Sequence, residues 1–496
     1  MKEQVRGSGV LMHVSSLWGD YSCGSFGDEA RSFVDFLKES GFTYWQTLPF
    51  CLPDGVGSPY SSFGAFSVNP NFIDLEERFI VGLISREELD GARQKQPYTV
   101  EFGRLRAERM ALLSKAAERF RGGGDFEEFF AAHPQSENFC RFMAIKKANG
   151  EKPFWEWTAN EPDEETLRTW RFVCYTFMRQ WKALKSYASA AGVRVIGDVP
   201  IYVSFDSADV WANKDLFQLD ERLRPTRVAG VPPDYFCPDG QLWGNPLYDW
   251  AKMEQTGFAW WKERMSFMYE LFDCVRIDHF RGIDAYYAIP FGAPNARKGK
   301  WIKGPGMKLV KALKEAAAGR PLIAEDLGVY TPSLEKLMKD SGLPGMHVLQ
   351  FGFPVGAGGA SHLPHNYPAN CVAYTGTHDN NTLLGAVWDM DEQTRCELLN
   401  YCGYPYNGGS WDRREAYDAV IRTLLASPAD RAIVPLQDLL GFGADTRMTT
   451  PGVPEGNWGW RATRDQLSRI DIGKWAYFNR LYERLPFEEE EEKEAD

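Results

Sequence analysis

Short runs of apolar residues recur along the chain, and each ends in polar residues or glycine. Eight of them have the length of a buried strand: GVLMHVS, FTYWQTLPF, VRVIGDVPIYV, CVRIDHF, PLIAEDLG, MHVLQFGF, CVAYTGTHD and AIVPLQDLLG. Stretches with the periodicity of an amphipathic helix separate most of these runs, as at residues 308–319 and 333–342 on either side of the fifth. Near-continuous apolar strands that alternate with helices are typical of a parallel sheet. Eight such units predict an α/β protein built as a (β/α)8 TIM barrel.

Two gaps between these runs are too long for simple connections. We predict subdomain insertions on the barrel rim after strand 2, at about residues 51–190, and after strand 3, at about residues 204–272. The whole of residues 1–486 is then a single barrel domain with its catalytic face at one end. The segment FEEEEEKEAD, residues 487–496, is predicted to be an acidic, solvated tail.

Composition excludes several classes of partner. The formal net charge of -12 leaves no broad basic surface, so nucleic acid is not expected as a partner. The chain has no run of about 18 apolar residues, and its start has too short an apolar core for a signal peptide. We therefore expect a cytoplasmic protein with no membrane contact, and no obligate protein partner is evident. The nine cysteines include no CxxC pair, and no disulfide framework is expected.

No cofactor or metal is predicted. The motif HLPH at residues 362–365 has an HxxH spacing, but its proline argues against a helical pair of metal ligands. The glycine-rich stretch PVGAGGASH contains neither GxGxxG nor GxxxxGK[ST], so it favours a flexible loop over a nucleotide cradle. An EF-hand pattern is also missing from the sequence, which gives no reason to expect calcium.

The polar residues at the strand ends are the candidates for chemistry, because a barrel gathers its active site there. In CVRIDHFRG, strand alternation places Arg276 and Asp278 on the same side, and a guanidinium beside a carboxylate lowers its pKa. We therefore expect Asp278 to be an anion. The next run, PLIAEDLG, ends in Glu325 and Asp326, which either serve as a general acid or cap the following helix. One neutral and one ionised carboxyl on adjacent strands form the pair that glycoside chemistry uses.

Two further strand ends supply polar side chains. CVAYTGTHD delivers His378 and Asp379, a third carboxylate at the same mouth. VRVIGDVPIYV adds Asp198 at its own strand end, which either takes part in the chemistry at this mouth or merely orders a turn or holds Arg276. The aromatic fraction of 14%, with 17 tryptophans, fits a large core or a set of ring platforms for sugars, and NWGWR at residues 457–461 is open to the same two interpretations.

The ordered set GDVPIYV, VRIDHFRG, IAEDLG and GTHDNNT resembles the motifs of the 4-alpha-glucanotransferases of the amylomaltase type, also called disproportionating enzymes, in glycoside hydrolase family 77 of the α-amylase clan. SPYSSFGAFSVNP and GQLWGNPLYDW support the resemblance, which covers nearly the entire chain. It implies transfer of α-1,4-glucan segments between malto-oligosaccharides, amylose or glycogen-like glucans by a retaining double displacement. GDVPIYV lacks the histidine that amylases usually carry after it, which agrees with the amylomaltase branch.

The resemblance also implies roles for individual residues. Asp278 matches the nucleophile, Glu325 the acid/base, and Asp379 the carboxylate that holds the 2- and 3-hydroxyls of the distorted sugar. The residues assigned to substrate binding are Tyr60, which stacks under the reacting ring, Asp198, Arg276, His378, and the mobile loop of Trp243, Asn245 and Pro246 over the cleft.

Two other functions stay open at this point. The first is hydrolysis of α-1,4-glucans by an enzyme of the same clan, against which the missing histidine and the Trp243 loop argue. The second is glucan binding by a protein that has lost catalysis, against which the three intact carboxylates argue.

Overall fold

The computed structural model describes residues 6–233, 237–356, 358–453 and 455–485. In these ranges the chain forms twelve strands: β1 (Gly7–Leu11), β2 (Tyr44–Gln46), β3 (Arg194–Pro200), β4 (Arg227–Val231), β5 (Gln241–Pro246), β6 (Cys274–Asp278), β7 (Ala285–Pro290), β8 (Lys300–Lys303), β9 (Leu322–Ala324), β10 (Gly345–Val348), β11 (Cys371–Tyr374) and β12 (Arg431–Pro435). The acidic tail predicted at residues 487–496 lies outside the described residues.

The helices of the same ranges alternate with these strands. They are α1 (Asp28–Glu39), α2 (Leu75–Ile80), α3 (Arg86–Gly91), α4 (Phe102–Arg119), α5 (Gly124–Ala132), α6 (Pro134–Ala148), α7 (Glu164–Ala190), α8 (Ala208–Ala212), α9 (Trp250–Gln255), α10 (Ala259–Leu271), α11 (Arg281–Asp284), α12 (Met307–Ala317), α13 (Pro332–Ser341), α14 (Leu383–Asp389), α15 (Glu392–Tyr401), α16 (Arg413–Ala426), α17 (Leu436–Leu440), α18 (Arg464–Leu467) and α19 (Ile472–Leu481). None of these helices is both long enough and apolar enough to cross a membrane.

Eight of the strands form the barrel. Their order is β10-β11-β12-β1-β2-β3-β6-β9, and every neighbouring pair is parallel. The two end strands meet where the Ala324 N–H, in β9, donates to the Pro344 carbonyl just before β10, at 3.0 Å. Each barrel strand overlaps one of the eight apolar runs of the sequence. The prediction of a (β/α)8 barrel is therefore confirmed.

Local sequence signals explain where the outer helices begin and end. Before α13, the Thr331 side chain accepts a hydrogen bond from the Leu334 N–H, and Pro332 occupies the first helical position, where its missing N–H costs nothing. The helix stops at Gly342, whose φ of 62° is left-handed and free of the steric cost that a Cβ adds. The apolar side chains of Leu334, Leu337 and Met338 on one side of this helix are buried.

Long insertions follow the second and third barrel strands, as predicted. The first carries α2 to α7, and the indole N–H of Trp181 in α7 donates to the Leu271 carbonyl at 2.8 Å. The second carries α8 to α10 with β4 and β5. The exact limits at about 51–190 and 204–272, and the treatment of residues 1–486 as one domain, stay predictions.

A second sheet on the rim joins segments from two places in the chain. Its order is β5-β4-β7-β8, all antiparallel. β4 and β5 belong to the insertion after β3, whereas β7 and β8 follow β6, the fourth barrel strand. The sequence did not predict that β7 and β8 belong to this sheet, because the pairing of β7 with β4 is non-local and leaves no periodic signal of its own.

The tryptophans divide between the two interpretations given to them. The largest fully buried side chains include Trp45, Trp181, Trp261 and Trp475, which pack the layer between barrel and helices. Trp243 is 37% exposed, and its surroundings are described next. Most of the buried aromatic surface thus belongs to the core, and a minority of rings faces the end of the barrel where the strands finish.

Candidate active site

The pairing of β3 with β6 places three charged side chains toward the barrel interior. Asp198 lies in register with Arg276. The neighbouring Gly197 faces outward, because a Cβ there would lie 2.0 Å from the Phe272 ring. Asp198 therefore faces inward, and Arg276 and Asp278 face the same way by strand alternation and register.

The pairing of β6 with β9 brings the two central carboxyls side by side. Ile277 is in register with Ala324, and the Glu325 N–H donates to the Ile277 carbonyl at 3.0 Å. The next residues along the two strands are Asp278 and Glu325. Since parallel strands lie about 4.8 Å apart, these carboxyls extend from adjacent backbone positions toward the same space. Both stand at the carboxyl ends of barrel strands, where barrel enzymes carry their active sites.

Arg276 is shared between two carboxylates. Its Nη1 lies 2.6 Å from Asp198 Oδ2, and its Nη2 lies 3.0 Å from Asp278 Oδ1. The side chains of Arg276 and Asp198 are 4% and 1% exposed, whereas Asp278 keeps 28% of its side-chain surface exposed. Asp198 thus holds Arg276 from behind, and its assignment to substrate binding stays a prediction.

The ionisation of Asp278 differs from the expectation drawn from its neighbour alone. Burial raises the pKa of the Asp278 carboxyl well above its usual value, and the carboxylates of Asp198, Glu325 and Asp379 raise it further, while Arg276 lowers it. The expected lowering is therefore wrong: Arg276 does lower the pKa of Asp278, but burial outweighs it. The physical reason is that the guanidinium makes its shorter contact to Asp198 and offsets only part of the cost of burying a second anion.

Glu325 and Asp326 have different surroundings. Glu325 is half-buried, and its two carboxyl oxygens accept the N–H groups of His279, at 2.8 Å, and Leu327, at 2.9 Å. Burial raises the pKa of Glu325 despite Arg276 and these donors. Asp326 is buried on the other side of the chain and accepts the Met346 N–H at 2.8 Å. Only Glu325 therefore stands next to Asp278, and Asp326 ties β9 to β10.

One aromatic group, the Tyr60 group, consists of Tyr60, His378 and Trp458. The Tyr60 and His378 rings stack with centroids 5.3 Å apart, and Trp458 lies 5.7 Å from Tyr60. The Tyr60 hydroxyl donates to Asp198 Oδ2 at 2.6 Å, because a carboxylate can only accept. His378 Nε2, 2.9 Å from the same hydroxyl oxygen, must then carry a proton and donate. The same nitrogen lies 3.3 Å from Asp379 Oδ2, so the network fixes the position of the Asp379 carboxylate.

A second aromatic group, the Trp243 group, consists of Trp243, Tyr202 and His279. The Trp243 ring meets the His279 ring edge-on at 4.9 Å and lies 6.2 Å from Tyr202. The segment expected to be a mobile loop is instead the edge strand β5. Asn245 in this strand donates from Nδ2 to the Val203 carbonyl at 2.9 Å, while Pro246 is buried in the rim sheet and does not face the cleft. The segment around Trp243 was expected to be a loop, but its backbone pairs with β4 and it therefore forms a strand.

A cleft of about 530 Å³ contains both groups. Its lining includes six of the predicted site residues, namely Tyr60, Trp243, Asn245, Asp278, His378 and Asp379. Glu325 adjoins this lining through His279, and Asp198 and Arg276 lie behind it. The lining also includes four aromatic residues that sequence reasoning did not assign: Tyr202, Phe205, His279 and Trp458. Trp458 lies in NWGWR, so one of the two interpretations of that stretch already pointed to the cleft.

In the part of the chain that the structure describes, no group of three or more histidine, cysteine, aspartate or glutamate side chains is arranged to hold a metal ion. In HLPH, the His362 Nδ1 accepts the Val348 N–H at 3.2 Å, which uses that nitrogen in joining the loop to β10. The cleft therefore offers carboxylates, a guanidinium and aromatic rings, a set suited to acid–base and nucleophilic chemistry on a sugar.

Comparison with known proteins decides the family. The sequence profile described as 4-alpha-glucanotransferase matches residues 12–467. The chain belongs to the 4-alpha-glucanotransferase family. A 4-alpha-glucanotransferase of Thermus thermophilus is 43% identical over 492 residues, which cover 94% of this chain and 96% of the relative. The chloroplastic/amyloplastic 4-alpha-glucanotransferase of Solanum tuberosum is 37% identical over 488 residues, covering 92% of this chain and 82% of that one.

Solved structures give the same result for this 4-alpha-glucanotransferase. The amylomaltase from Streptococcus agalactiae in complex with acarbose superposes with a TM-score of 0.91 at 35% identity, and covers 97% of this chain and 100% of that chain. An α-amylase from Geobacillus thermoleovorans shares only the fold, with a TM-score of 0.51 at 11% identity over 97% of this chain and 81% of its own. The resemblance to the amylomaltases is thus confirmed, and the α-amylase has the same barrel fold.

Proposed function

We propose that this 4-alpha-glucanotransferase transfers segments of α-1,4-glucan between malto-oligosaccharides, and to and from amylose or glycogen-like glucans, by a retaining double displacement. The observation that carries the proposal is the placement of Asp278 and Glu325 side by side on adjacent strands at the floor of an aromatic cleft. The amylomaltase from Streptococcus agalactiae binds acarbose, and we expect the equivalent cleft here to bind an oligosaccharide.

In the first step, an oxygen of the ionised Asp278 attacks the anomeric carbon of the donor. Glu325 donates its proton to the glycosidic oxygen, the C–O bond breaks, and the leaving glucan departs with a new hydroxyl group. Burial raises the pKa of both carboxyls, and the direct guanidinium contact at 3.0 Å assigns Asp278 to the nucleophilic role, because Arg276 stabilises its ionised form. The raised pKa of Glu325 suits proton donation.

In the second step, Glu325, now ionised, takes the proton from a sugar hydroxyl of the acceptor. The hydroxyl oxygen attacks the anomeric carbon, the ester to Asp278 breaks, and Asp278 leaves as a carboxylate. Two inversions at one carbon restore the starting configuration. Carboxyls about 5–5.5 Å apart support this route, and neighbouring strand positions supply a separation of that order.

The Tyr60 group positions the sugar that reacts. In this proposal the Tyr60 ring is a platform for the sugar. The Asp379 carboxylate, whose side chain is 48% exposed, binds the 2- and 3-hydroxyls of that sugar. His378 donates to Tyr60 and faces Asp379, which keeps both in place before the substrate arrives. Groups that are fixed beforehand stabilise the developing oxocarbenium charge without reorganisation.

The two alternative functions are not favoured. Relatives that match this chain over more than nine-tenths of its length are 4-alpha-glucanotransferases, from bacteria and from plant plastids. Hydrolysis by the same machinery would need water to reach the ester, and the aromatic side chains around Asp278 support its exclusion. Loss of catalysis is not favoured because Asp278, Glu325 and Asp379 are all present and accessible at or beside the cleft.

Maltotriose distinguishes transfer from hydrolysis directly. We expect purified enzyme to convert it into glucose and a ladder of longer oligosaccharides, because each transfer breaks one α-1,4 bond and forms another. The measurement is chromatography of the products together with a count of reducing ends, which should stay nearly constant. A steady rise in reducing ends, with glucose and maltose as the final products, would show that hydrolysis is the main activity.

Trp243→Ala is expected to raise the fraction of turnovers that end in water several-fold, with weaker use of acceptors. The ring packs edge-on against His279 beside Asp278, so its loss opens a path for water to the ester. Thermal stability should change little, because the side chain is 37% exposed on an edge strand. The ratio of new reducing ends to transferred glucan measures the effect. An unchanged ratio would contradict the proposed role of Trp243.

A further inference from the structure

The segment after β3 carries an aromatic side chain, Phe205, that the proposed mechanism does not use. Phe205 is half-buried and lines the cleft. Two residues before it, the Val203 carbonyl accepts the side-chain N–H of Asn245, which fastens this segment to the strand that carries Trp243. Phe205 and Trp243 therefore border the same part of the cleft.

A second ring supports Phe205 from behind. The Trp155 and Phe205 rings are nearly parallel, at 7°, with centroids 3.9 Å apart. The Arg224 guanidinium lies over the Trp155 ring at 5.0 Å, and since Phe205 occupies one face of that ring, Arg224 covers the other. Trp155 is thus held between a cation and a ring. One face of Phe205 is covered by Trp155, the Phe154 and Phe291 rings lie nearly perpendicular to it at 5.8 and 6.3 Å, and part of the ring lines the cleft.

The stack is fixed before any ligand binds. Asp206, next to Phe205, accepts the Phe154 N–H at 3.1 Å and forms an ion pair with Lys146, whose side chain is 5% exposed. These contacts tie the turn that carries Trp155 to the segment that carries Phe205. A ring that is already ordered binds a ligand with little further loss of conformational entropy. This arrangement distinguishes Phe205 from an exposed aromatic that merely lies on the surface.

The position of the stack indicates which part of the substrate it meets. The Trp243 ring contacts His279, and the His279 N–H donates to Glu325. The Trp243 side of the cleft therefore adjoins the proposed acid/base, which handles the oxygen of the departing or arriving glucan. The Tyr60 group lies around the sugar that becomes attached to Asp278. Phe205 belongs to the acceptor side.

We propose that Phe205, backed by Trp155, is a platform for a glucose unit of the acceptor beyond the unit that enters the catalytic centre. The apolar C–H face of a glucose ring packs on the electron-rich face of an aromatic ring. An acceptor long enough to reach Phe205 gains this contact, and a single glucose does not. The platform therefore sets a preference for longer acceptors. This inference rests on the proposed function and deepens it.

The test separates acceptor binding from donor binding. A maltosyl fluoride whose non-reducing 4-hydroxyl is blocked serves as donor at saturating concentration, because it cannot act as acceptor. Glucose and maltotetraose are compared as acceptors, and transfer products are quantified by chromatography. For Phe205→Leu, which keeps apolar volume but removes the ring, we expect the KM for maltotetraose to rise about fivefold, the size expected for one lost ring contact. The KM for glucose and both kcat values should stay within about twofold.

Three further variants control the result. Phe205→Tyr keeps the ring and should keep the parent KM for maltotetraose. Trp155→Leu removes the backing ring and should raise that KM in the same selective way. Tyr477→Ala removes a ring that is 56% exposed on α19, the last helix, and should change nothing. Thermal unfolding of each variant shows whether the fold is retained.

A rise in KM of equal size for glucose and maltotetraose, or no rise for either, overturns the platform and leaves the proposed function standing. A failure of Phe205→Tyr to restore the parent KM overturns it as well. If the parent enzyme itself forms no transfer product from the fluoride donor, the proposed function fails, and this inference fails with it.

Discussion

Asp278→Asn will reduce glucan transfer by about 10⁴-fold or more, the scale on which removal of a covalent nucleophile acts. The amide has no negative charge and cannot form the ester. The fold should survive the change, because Arg276 keeps its 2.6 Å contact to Asp198 and is not left as a buried cation without an anion. The measurement is the initial rate of glucose release from maltotriose, with thermal unfolding as the check on folding.

A matched control for this variant lies on the rim. Asp239, between β4 and β5, is an exposed aspartate that pairs with Arg297 at 2.7 Å and does not line the cleft, and Asp239→Asn removes the same charge. We expect it to keep the parent rate and stability, since exposed ion pairs contribute little. Substantial transfer by Asp278→Asn, after exclusion of deamidation by mass spectrometry, would remove Asp278 from the nucleophilic role.

Glu325→Gln is expected to stop turnover after the first step when the donor has a good leaving group. A maltosyl fluoride needs little acid assistance, so Asp278 should still form the ester, and the ester should accumulate because no base activates the acceptor. Intact-protein mass spectrometry should show one added maltosyl unit, and peptide mapping should place it on Asp278. With maltotriose as donor, the rate should fall by about 10²- to 10⁴-fold, as expected for the loss of acid–base assistance.

The neighbouring acid provides the comparison. Asp326→Asn alters the carboxyl that accepts the Met346 N–H and the Tyr330 hydroxyl, and it should lower stability without trapping an ester. Glu325→Gln replaces one carboxyl oxygen with an amide NH2 group. One of the two backbone N–H groups that donate to Glu325 then loses its acceptor, which costs about 1 kcal/mol of folding free energy. A label on any residue other than Asp278, or an ester in the Asp326 variant and not in the Glu325 variant, would contradict these assignments.

The barrel strands were predictable because both of their faces are buried, which gives continuous apolar runs that end where the chain reaches the cleft. Asp278 and Asp379 could be proposed from those ends. Strand periodicity predicts that Glu325 and Asp326 face opposite ways, but it does not show which of the two side chains faces the cleft. Only the register with β6 shows which of the two stands beside Asp278.

Long-range pairing explains what sequence reasoning missed. The raised pKa of Asp278 comes first from burial and then in part from Asp198, which makes the closer contact to Arg276 from 78 residues away. The pairing of β7 with β4 joins segments from both sides of β6 into the rim sheet, whose edge strand β5 contains the segment around Trp243 that was predicted to be a loop. The stack of Phe205 on Trp155 joins two insertions that no local pattern relates. Each of these contacts is specified by the assembled fold and by no single segment.

The rim sheet has a consequence for protein engineering. Its strands lie on both sides of β6 in the sequence, and β6 ends in Asp278. Replacing one continuous segment of the chain therefore cannot replace the whole sheet without replacing β6 as well. A chimera that takes residues 204–272 from a relative would set a foreign β4 against the native β7, across four paired positions. We therefore expect a relative's rim sheet to fold in such a chimera only when the segments on both sides of β6 are exchanged together, while β6 itself stays in place.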